Sequence, residues 1–284
     1  MSSPEEPDVL NENEDYRRRR VTRSLFTVPI LLSLIPSSLV GQIQDNSFLL
    51  EEAYNQEMGV VQHISTFARS SRDDWGYSFT QEWPLGGIQH QLSYTIPLEH
   101  SSGTGTGLGD IALNYRHQLV GNPEARTVLA PRVSLLFPTG SEEDGRGTGG
   151  VGIQANLPLT IVPSPKLATH WNAGFTLVPS AQGSGGATAT TFSRNVGGSA
   201  VWLVRPAFNL LVEMVWLSEG AVAGSGSTRV NETLLLSPGM RAAFDVSGGL
   251  QIVPGVAYII GLTEESGENA LFLYLSLEHP FTRQ

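Results

Sequence analysis

The sequence predicts an all-β fold: a transmembrane, antiparallel, up-and-down β-barrel of about twelve strands, with short periplasmic turns and long outer loops, in a bacterial outer membrane. Three observations predict it. Stretches of alternating apolar and polar residues fill the chain from Met58 to Phe281, and a period of two places every second side chain on one face of a sheet. The connectors between them alternate between tight turn and long Gly-rich, acidic loop, the sorting that outer-membrane barrels show and soluble sandwiches have no reason to show. Beyond the N-terminus no apolar run approaches the roughly 20 residues of a membrane helix.

The N-terminal region reads first as an address. Arg17–Arg20 and Arg23 precede the apolar run Leu25–Val40, a charged region, hydrophobic region and small-residue cleavage site near Gly41. Residues 1–41 are therefore expected to be a signal peptide with a long charged lead. Residues 42–57 follow as a short helical segment, because Phe48 to Glu57 has helix-forming composition with Leu49, Ala53 and Glu57 at i, i+4 and i+8. Inside the barrel it would be a plug carrying Phe48, Leu49, Glu51, Glu52 and Tyr54. Outside it would be a periplasmic cap, and the sequence leaves both open.

Residues 58–281 form the barrel, read as one domain because no linker interrupts the strand rhythm. In the second strand Trp75, Tyr77, Phe79 and Trp83 oppose Gly76, Ser78, Thr80 and Glu82. The third sets Leu92, Tyr94, Ile96 and Leu98 against Gln91, Ser93 and Thr95, with His90 on the apolar side. In the fourth, Ile111, Leu113 and Tyr115 oppose Asp110, Asn114 and Arg116, and in the sixth Ile153, Ala155 and Leu157 oppose Gln154 and Asn156. Leu271, Leu273, Leu275, Leu277 and Phe281 hold one phase of the last. An apolar alternation ending in an aromatic resembles the terminal signal that barrel-insertion machinery reads. Trp75 and Trp83 lie about 20 Å apart in height at about 3.3 Å per residue and a tilt of roughly 40°, near the roughly 25 Å apolar band of such barrels. Trp202 and Trp216 fit its aromatic edges.

Between strands, the outer links are Ser70–Asp74, Glu99–Gly107, Gly140–Gly149, Ser180–Thr188, Ser218–Ser227 and Thr263–Asn269. The opposite links are Pro84–Gly87, Gly121–Ala125, Pro163–Lys166, Arg205–Pro206 and Asp245–Gly248, built from Pro, Gly, Asn and Asp as tight reversals require.

Two stretches, Gly107-Leu108-Gly109-Asp110-Ile111-Ala112-Leu113-Asn114-Tyr115-Arg116 and Ala130-Pro131-Arg132-Val133-Ser134-Leu135-Leu136-Phe137-Pro138-Thr139-Gly140, resemble the outer-membrane transporter family named for the meta-cleavage pathway of phenol degradation. Ser237-Pro238-Gly239 before Arg241 is similar too. The resemblance implies a barrel with a role in passive uptake of small, aromatic or hydrophobic molecules, and no catalytic residues to carry over.

Function in a barrel rests on its lumen, and twelve strands lie between a side-chain-filled cylinder and an open water channel. The inward phase carries the pore-lining candidates Glu82, Asp110, Asn114, Arg116, Arg132, Asn156, Asn172, Glu213 and Arg241, with Asp245 at one end. Strand adjacency is expected to bring Asp110 and Arg116 near Arg132, and Glu213 near Arg241. Such pairs either brace the wall or form a constriction that selects solutes by charge. A closed structural or adhesive barrel and an outer-membrane lipid hydrolase using His100 and Ser101 are the alternatives.

Other chemistry is expected to be absent. His63, His90, His100, His117, His170 and His279 show no metal-ligand spacing, and no cofactor motif is present, since a strand follows the Gly103–Gly109 run where a nucleotide loop needs a helix. Glu142, Glu143 and Asp144 in an outer loop read as a solvated acidic tip, with a Ca²⁺ or lipopolysaccharide-bridging cation as the alternative. The net charge is −10 and stays negative without residues 1–41, which excludes a nucleic-acid partner. The expected partners are outer-membrane lipid, lipopolysaccharide, the insertion machinery and a small-molecule solute.

Overall fold

The computed structural model describes residues 47–281; the expected signal peptide, its cleavage site and the last three residues lie outside them. Sixteen strand segments make one sheet: β1 (Val60–Ser70), β2 (Trp75–Pro84), β3 (His90–Ser101), β4 (Gly105–Leu108), β5 (Ile111–His117), β6 (Thr127–Leu129), β7 (Arg132–Phe137), β8 (Gly152–Asn156), β9 (Leu159–Ser164), β10 (Leu167–Gly183), β11 (Ala187–Arg205), β12 (Phe208–Gly224), β13 (Ser227–Ala242), β14 (Phe244–Val246), β15 (Leu250–Gly261) and β16 (Ala270–Pro280). They constitute twelve wall strands, all antiparallel. The pairs β4–β5, β6–β7, β8–β9 and β13–β14 are each one strand interrupted. Proline, which has no N–H for the ladder, sits in two of the breaks, Pro131 and Pro158. Across them, His117 donates to the Pro131 carbonyl and Ala130 to that of Pro158. The sheet closes where β1 pairs with β16, from Val60 opposite Pro280 to Ser70 opposite Ala270.

Burial along the strands is inverted relative to a water-soluble protein. On β10, Trp171 is 51% exposed and Phe175 40%, whereas His170 and Asn172 on either side of Trp171 are buried. The same holds around the wall: Leu113, Val133, Ile153, Trp202, Met214 and Leu273 face outward, and Gln91, Asn114, Ser134, Thr160, Glu213 and Ser276 face inward. A closed wall leaves no backbone edge to satisfy, and an apolar exterior of this extent requires hydrocarbon around it. This is the architecture of bacterial outer-membrane proteins.

One rim, here the near rim, holds the start of β1 and the end of β16; in this architecture it is periplasmic. The far rim carries the excursion between β7 and β8, where Glu142–Asp144 form a single 3-10 turn. Two expected outer loops are largely strand instead. The ladder runs through Ser180–Thr188 and Ser218–Ser227 until Gly185 and Gly226, both at a φ of +72°, reverse the chain. Ser, Ala and Gly in these links offer no proline or charge block to stop pairing.

The segment preceding β1 is not helical. Residues 47–57 run as an irregular, extended strap, because the wall supplies acceptors for the N–H groups that a helix would have used internally.

Candidate functional site

Side chains from β1, β3, β5, β7, β8–β9, β10, β11, β12 and β16 hold the strap in the lumen. At its first turn the Glu213 carboxylate on β12 accepts three successive backbone N–H groups, Phe48 at 3.1 Å, Leu49 at 2.9 Å and Leu50 at 3.1 Å. Glu213 is fully buried, so these donors replace the water its carboxyl oxygens would otherwise bind. The Phe48 ring packs 5.6 Å from Phe272 and 5.4 Å from Tyr274. It occupies a hollow that two wall glycines leave: a Cβ on Gly239 or Gly255 would lie 2.6 Å from the ring.

The middle of the strap is tied by charge. Glu51 accepts from Arg132 Nη2 at 2.6 Å and Nε at 2.9 Å, and from Asn156 at 2.9 Å. Asn172 meets the Glu51 main chain as a second strand would, accepting its N–H at 3.0 Å and donating to its carbonyl at 2.8 Å. Arg132 also donates to Asn114, Ser134 and Gln154. One step on, the Glu52 carbonyl accepts from Arg116, whose other nitrogen pairs with Glu82 at 3.1 Å.

The near end is bound mainly by neutral groups. Ala53 donates to Thr160, Asn55 to Gln118 and Gln56 to Gln91, the last at 2.7 Å. Tyr54 is buried with Ala53, Val128 and Ala130. A second apolar cluster, including Phe48, Ala168, Val201, Leu211 and Val253, fills the interior beside β11–β15. The lumen is thus wet in part only.

Beside the strap two cavities of about 260 and 340 Å³ share Leu49, Leu50, Glu51, Arg132 and Gln154 as floor and divide. One is lined by Thr176, Ser193, Asn195 and Glu219, the other by Ser78, Thr80, Ser93 and Thr95 with Ile64 and Tyr274. Together they form a vestibule of small polar groups with apolar patches.

Of the sequence-predicted residues, Glu82, Asn114, Arg116, Arg132, Asn156, Asn172, Glu213 and Arg241 all face the interior, and the plug candidates Phe48, Leu49, Glu51, Glu52 and Tyr54 meet them. Asp110 does not join them. Sitting in the β4–β5 break, it accepts from Gly140 N–H at 3.1 Å and from Thr148 N–H and hydroxyl at 2.7 and 2.8 Å, pinning the far-rim excursion. Arg132 pairs instead with Glu51, a strap carboxylate that strand adjacency could not reveal, while Arg116 lies directly opposite Arg132 as expected and takes Glu82 of β2 as its ion-pair partner. Asp245 is exposed at the near rim, where Gln251 donates to it. Sequence reasoning missed Gln91, Gln118 and Thr160 as strap anchors; their polar phase was visible, their partner was not. At the far rim His100 Nδ1 bonds Thr106 and Ser101 accepts from Gly103 N–H.

No protein-family model matches the sequence, and no curated protein does. Solved structures do match in fold. The NanC porin aligns with a TM-score of 0.51 at 9% identity over 78% of this chain and all of its own. An outer membrane channel from Pseudomonas putida F1 aligns with a TM-score of 0.59 at 16% identity, over 80% of this chain and 97% of its own. Both share the barrel fold.

Proposed function

We propose that this chain is an outer-membrane channel through which small molecules, aromatic or hydrophobic ones among them, pass down their gradients, and that residues 47–57 set its bore. The observation that carries the reading is the strap itself, which lies in the lumen beside a polar vestibule and is tied by side chains rather than built into the wall. A rigid filled barrel has no use for such an arrangement; a regulated or narrowed passage does. The vestibule suits a solute with an apolar body and a polar edge: Ile64, Leu50 and Tyr274 face Ser93, Thr95 and Asn114 across one cavity. The resemblance to the phenol-pathway transporter family supports the same class, and the two fold matches are a porin and a channel by name.

In this reading residues 1–41 direct export, the alternation of the last strand is read by the insertion machinery, and the far rim meets lipopolysaccharide. Deletion of residues 47–57, with single-channel recording in planar bilayers, tests it: conductance is expected to rise. The packed apolar cluster around Phe48 favours a second reading, a closed structural barrel, and an unchanged closed baseline after the deletion would establish that instead. The lipid-hydrolase reading has no observation in its favour: His100 Nδ1 bonds the Thr106 hydroxyl.

A further inference from the structure

On the outward face near the periplasmic rim, four histidines that are scattered in sequence meet as two pairs. His63 on β1 and His279 on β16 bring Nε2 to Nε2 at 3.2 Å across the seam that closes the barrel, with ring centroids 5.3 Å apart. His90 on β3 and His117 on β5 are directly opposed, with Nδ1 to Nδ1 at 3.3 Å and centroids 4.9 Å apart. A tetrahedral cation with metal–nitrogen bonds of about 2.0–2.1 Å would set its two nitrogens about 3.3 Å apart and the ring centres about 5 Å apart. Both pairs already stand at that spacing.

Protonation makes the first pair more specific. His279 Nδ1 lies 3.2 Å from the Pro280 carbonyl, which can only accept, so Nδ1 carries the proton and Nε2 offers a bare lone pair toward His63. A hydrogen bond from the remote ring nitrogen to a carbonyl is the usual outer support of a metal-bound imidazole. Phe79 stacks on His63 with centroids 6.0 Å apart and holds that ring in place. For the second pair the Tyr115 hydroxyl lies 2.6 Å from His90 Nδ1, so a cation bound there displaces that hydrogen bond. All four rings are half-buried and lie toward the ends of their strands, where water and lipid headgroups meet.

We propose that the near rim binds a late first-row divalent cation, Zn²⁺ or Cu²⁺, at each of these bis-imidazole sites, and that the ion between His63 and His279 staples the first strand to the last. No group of three His, Cys, Asp or Glu ligands exists among the described residues, so water completes each coordination sphere. Imidazole suits these ions: Zn²⁺ fits the spacing as it stands, and Cu²⁺, tetragonal and the tightest binder of the series, draws the two nitrogens closer. The inference does not depend on the channel reading.

The test uses the full chain, free of any histidine tag, refolded in detergent. Titration with Cu²⁺, followed by calorimetry and electron paramagnetic resonance, is expected to give two equivalents with nitrogen hyperfine structure, one equivalent after His63→Gln, and none after His63→Gln with His90→Gln. His279→Gln and His117→Gln, the other halves, are expected to give the same losses and serve if the first variants do not fold. His100→Gln keeps both equivalents. Zn²⁺ should raise the unfolding temperature of the wild type and of His90→Gln, but not of His63→Gln. No uptake by the wild type at a hundredfold molar excess, or a stoichiometry indifferent to these substitutions, would overturn the proposal and leave the pairs sharing a proton.

Discussion

Glu213→Ala is the perturbation that most directly tests the strap. The carboxyl group accepts three N–H groups at 2.9–3.1 Å, and a buried donor left without its acceptor costs about 1–3 kcal/mol. At about 1.5 kcal/mol each the sum is about 4.5 kcal/mol, and water entering the vacated space recovers part of it. A net loss of about 3 kcal/mol shifts the equilibrium between seated and released strap roughly 100-fold. Hydrogen exchange in detergent micelles reads this residue by residue: the amides of Phe48, Leu49 and Leu50 should exchange about 100-fold faster, while the β12–β13 ladder stays protected. In bilayers the same variant should dwell longer at high conductance. Glu213→Gln, which keeps a neutral acceptor oxygen, should fall between. If the three amides exchange at the wild-type rate in a folded Glu213→Ala barrel, the carboxylate does not hold the strap and the reasoning fails.

Arg132→Ala strands Glu51 without its main partner and should loosen the middle of the strap by about 3 kcal/mol, read as faster exchange at Glu51 and Glu52 and a higher single-channel conductance. Gly239→Ala places a methyl 2.6 Å from the Phe48 ring; overpacking of this kind costs about 1–3 kcal/mol, and fluorescence quenching of a Trp placed at position 48 should report the displaced ring. Burial pushes the Glu51 carboxyl up, but the charge and hydrogen bonds of Arg132, with Arg116 and Asn156 behind them, outweigh it and hold the group below its ordinary value. Its contribution to strap docking is therefore complete above the ordinary value of 4.5 and fades only as pH falls through the lowered one. Protection of the Glu51 and Glu52 amides from hydrogen exchange, relative to the ordinary pH dependence of exchange, should accordingly stay flat from neutral pH down to about pH 5 and fall below it, and a loss of protection at these two amides beginning at pH 6 would contradict that assignment. Asp110→Ala removes three bonds to the far-rim excursion and should expose the stretch around Gly145 to proteases without altering the barrel's heat-modifiable migration.

How far the sequence could be read follows from which interactions are local. Trp75, Phe79 and Leu113 lie outward and Glu82, Asn114 and Asn156 inward because a period of two is decided residue by residue, and an alternating strand needs nothing distant to declare its faces. The strap is another matter. Leu49, Ala53 and Glu57 carry a helical period, yet the wall acceptors Glu213, Asn172, Thr160 and Gln118 come from residues 63 to 165 positions away, invisible to any window. Asp110 illustrates the same limit from the other side. Its phase is inward, but the Gly109–Asp110 break turns it to the far rim, where Gly140 and Thr148 capture it. The histidine pairs show no sequence spacing at all, since closure alone sets His63 beside His279.

The strap's extended form also constrains how any gate would work. An isolated helix of about ten residues is marginal in water even with favourable composition, so a released strap gains little from folding on its own. In the lumen, by contrast, successive N–H groups find acceptors that are fixed to different strands of a rigid wall, and each bond made positions the next. The seated state is therefore favoured by many modest contacts rather than by one lock, and weakening any single anchor should loosen its neighbourhood before it frees the whole. Glu213, Arg132 and Arg116 stand apart because each binds the strap through an ionisable group at low exposure, where losing a partner costs more than losing a neutral bond. Release would begin at one of these three residues and spread toward Thr160 and Gln91. The order in which amides lose protection along residues 48–56 then distinguishes a hinged strap from one that leaves as a unit.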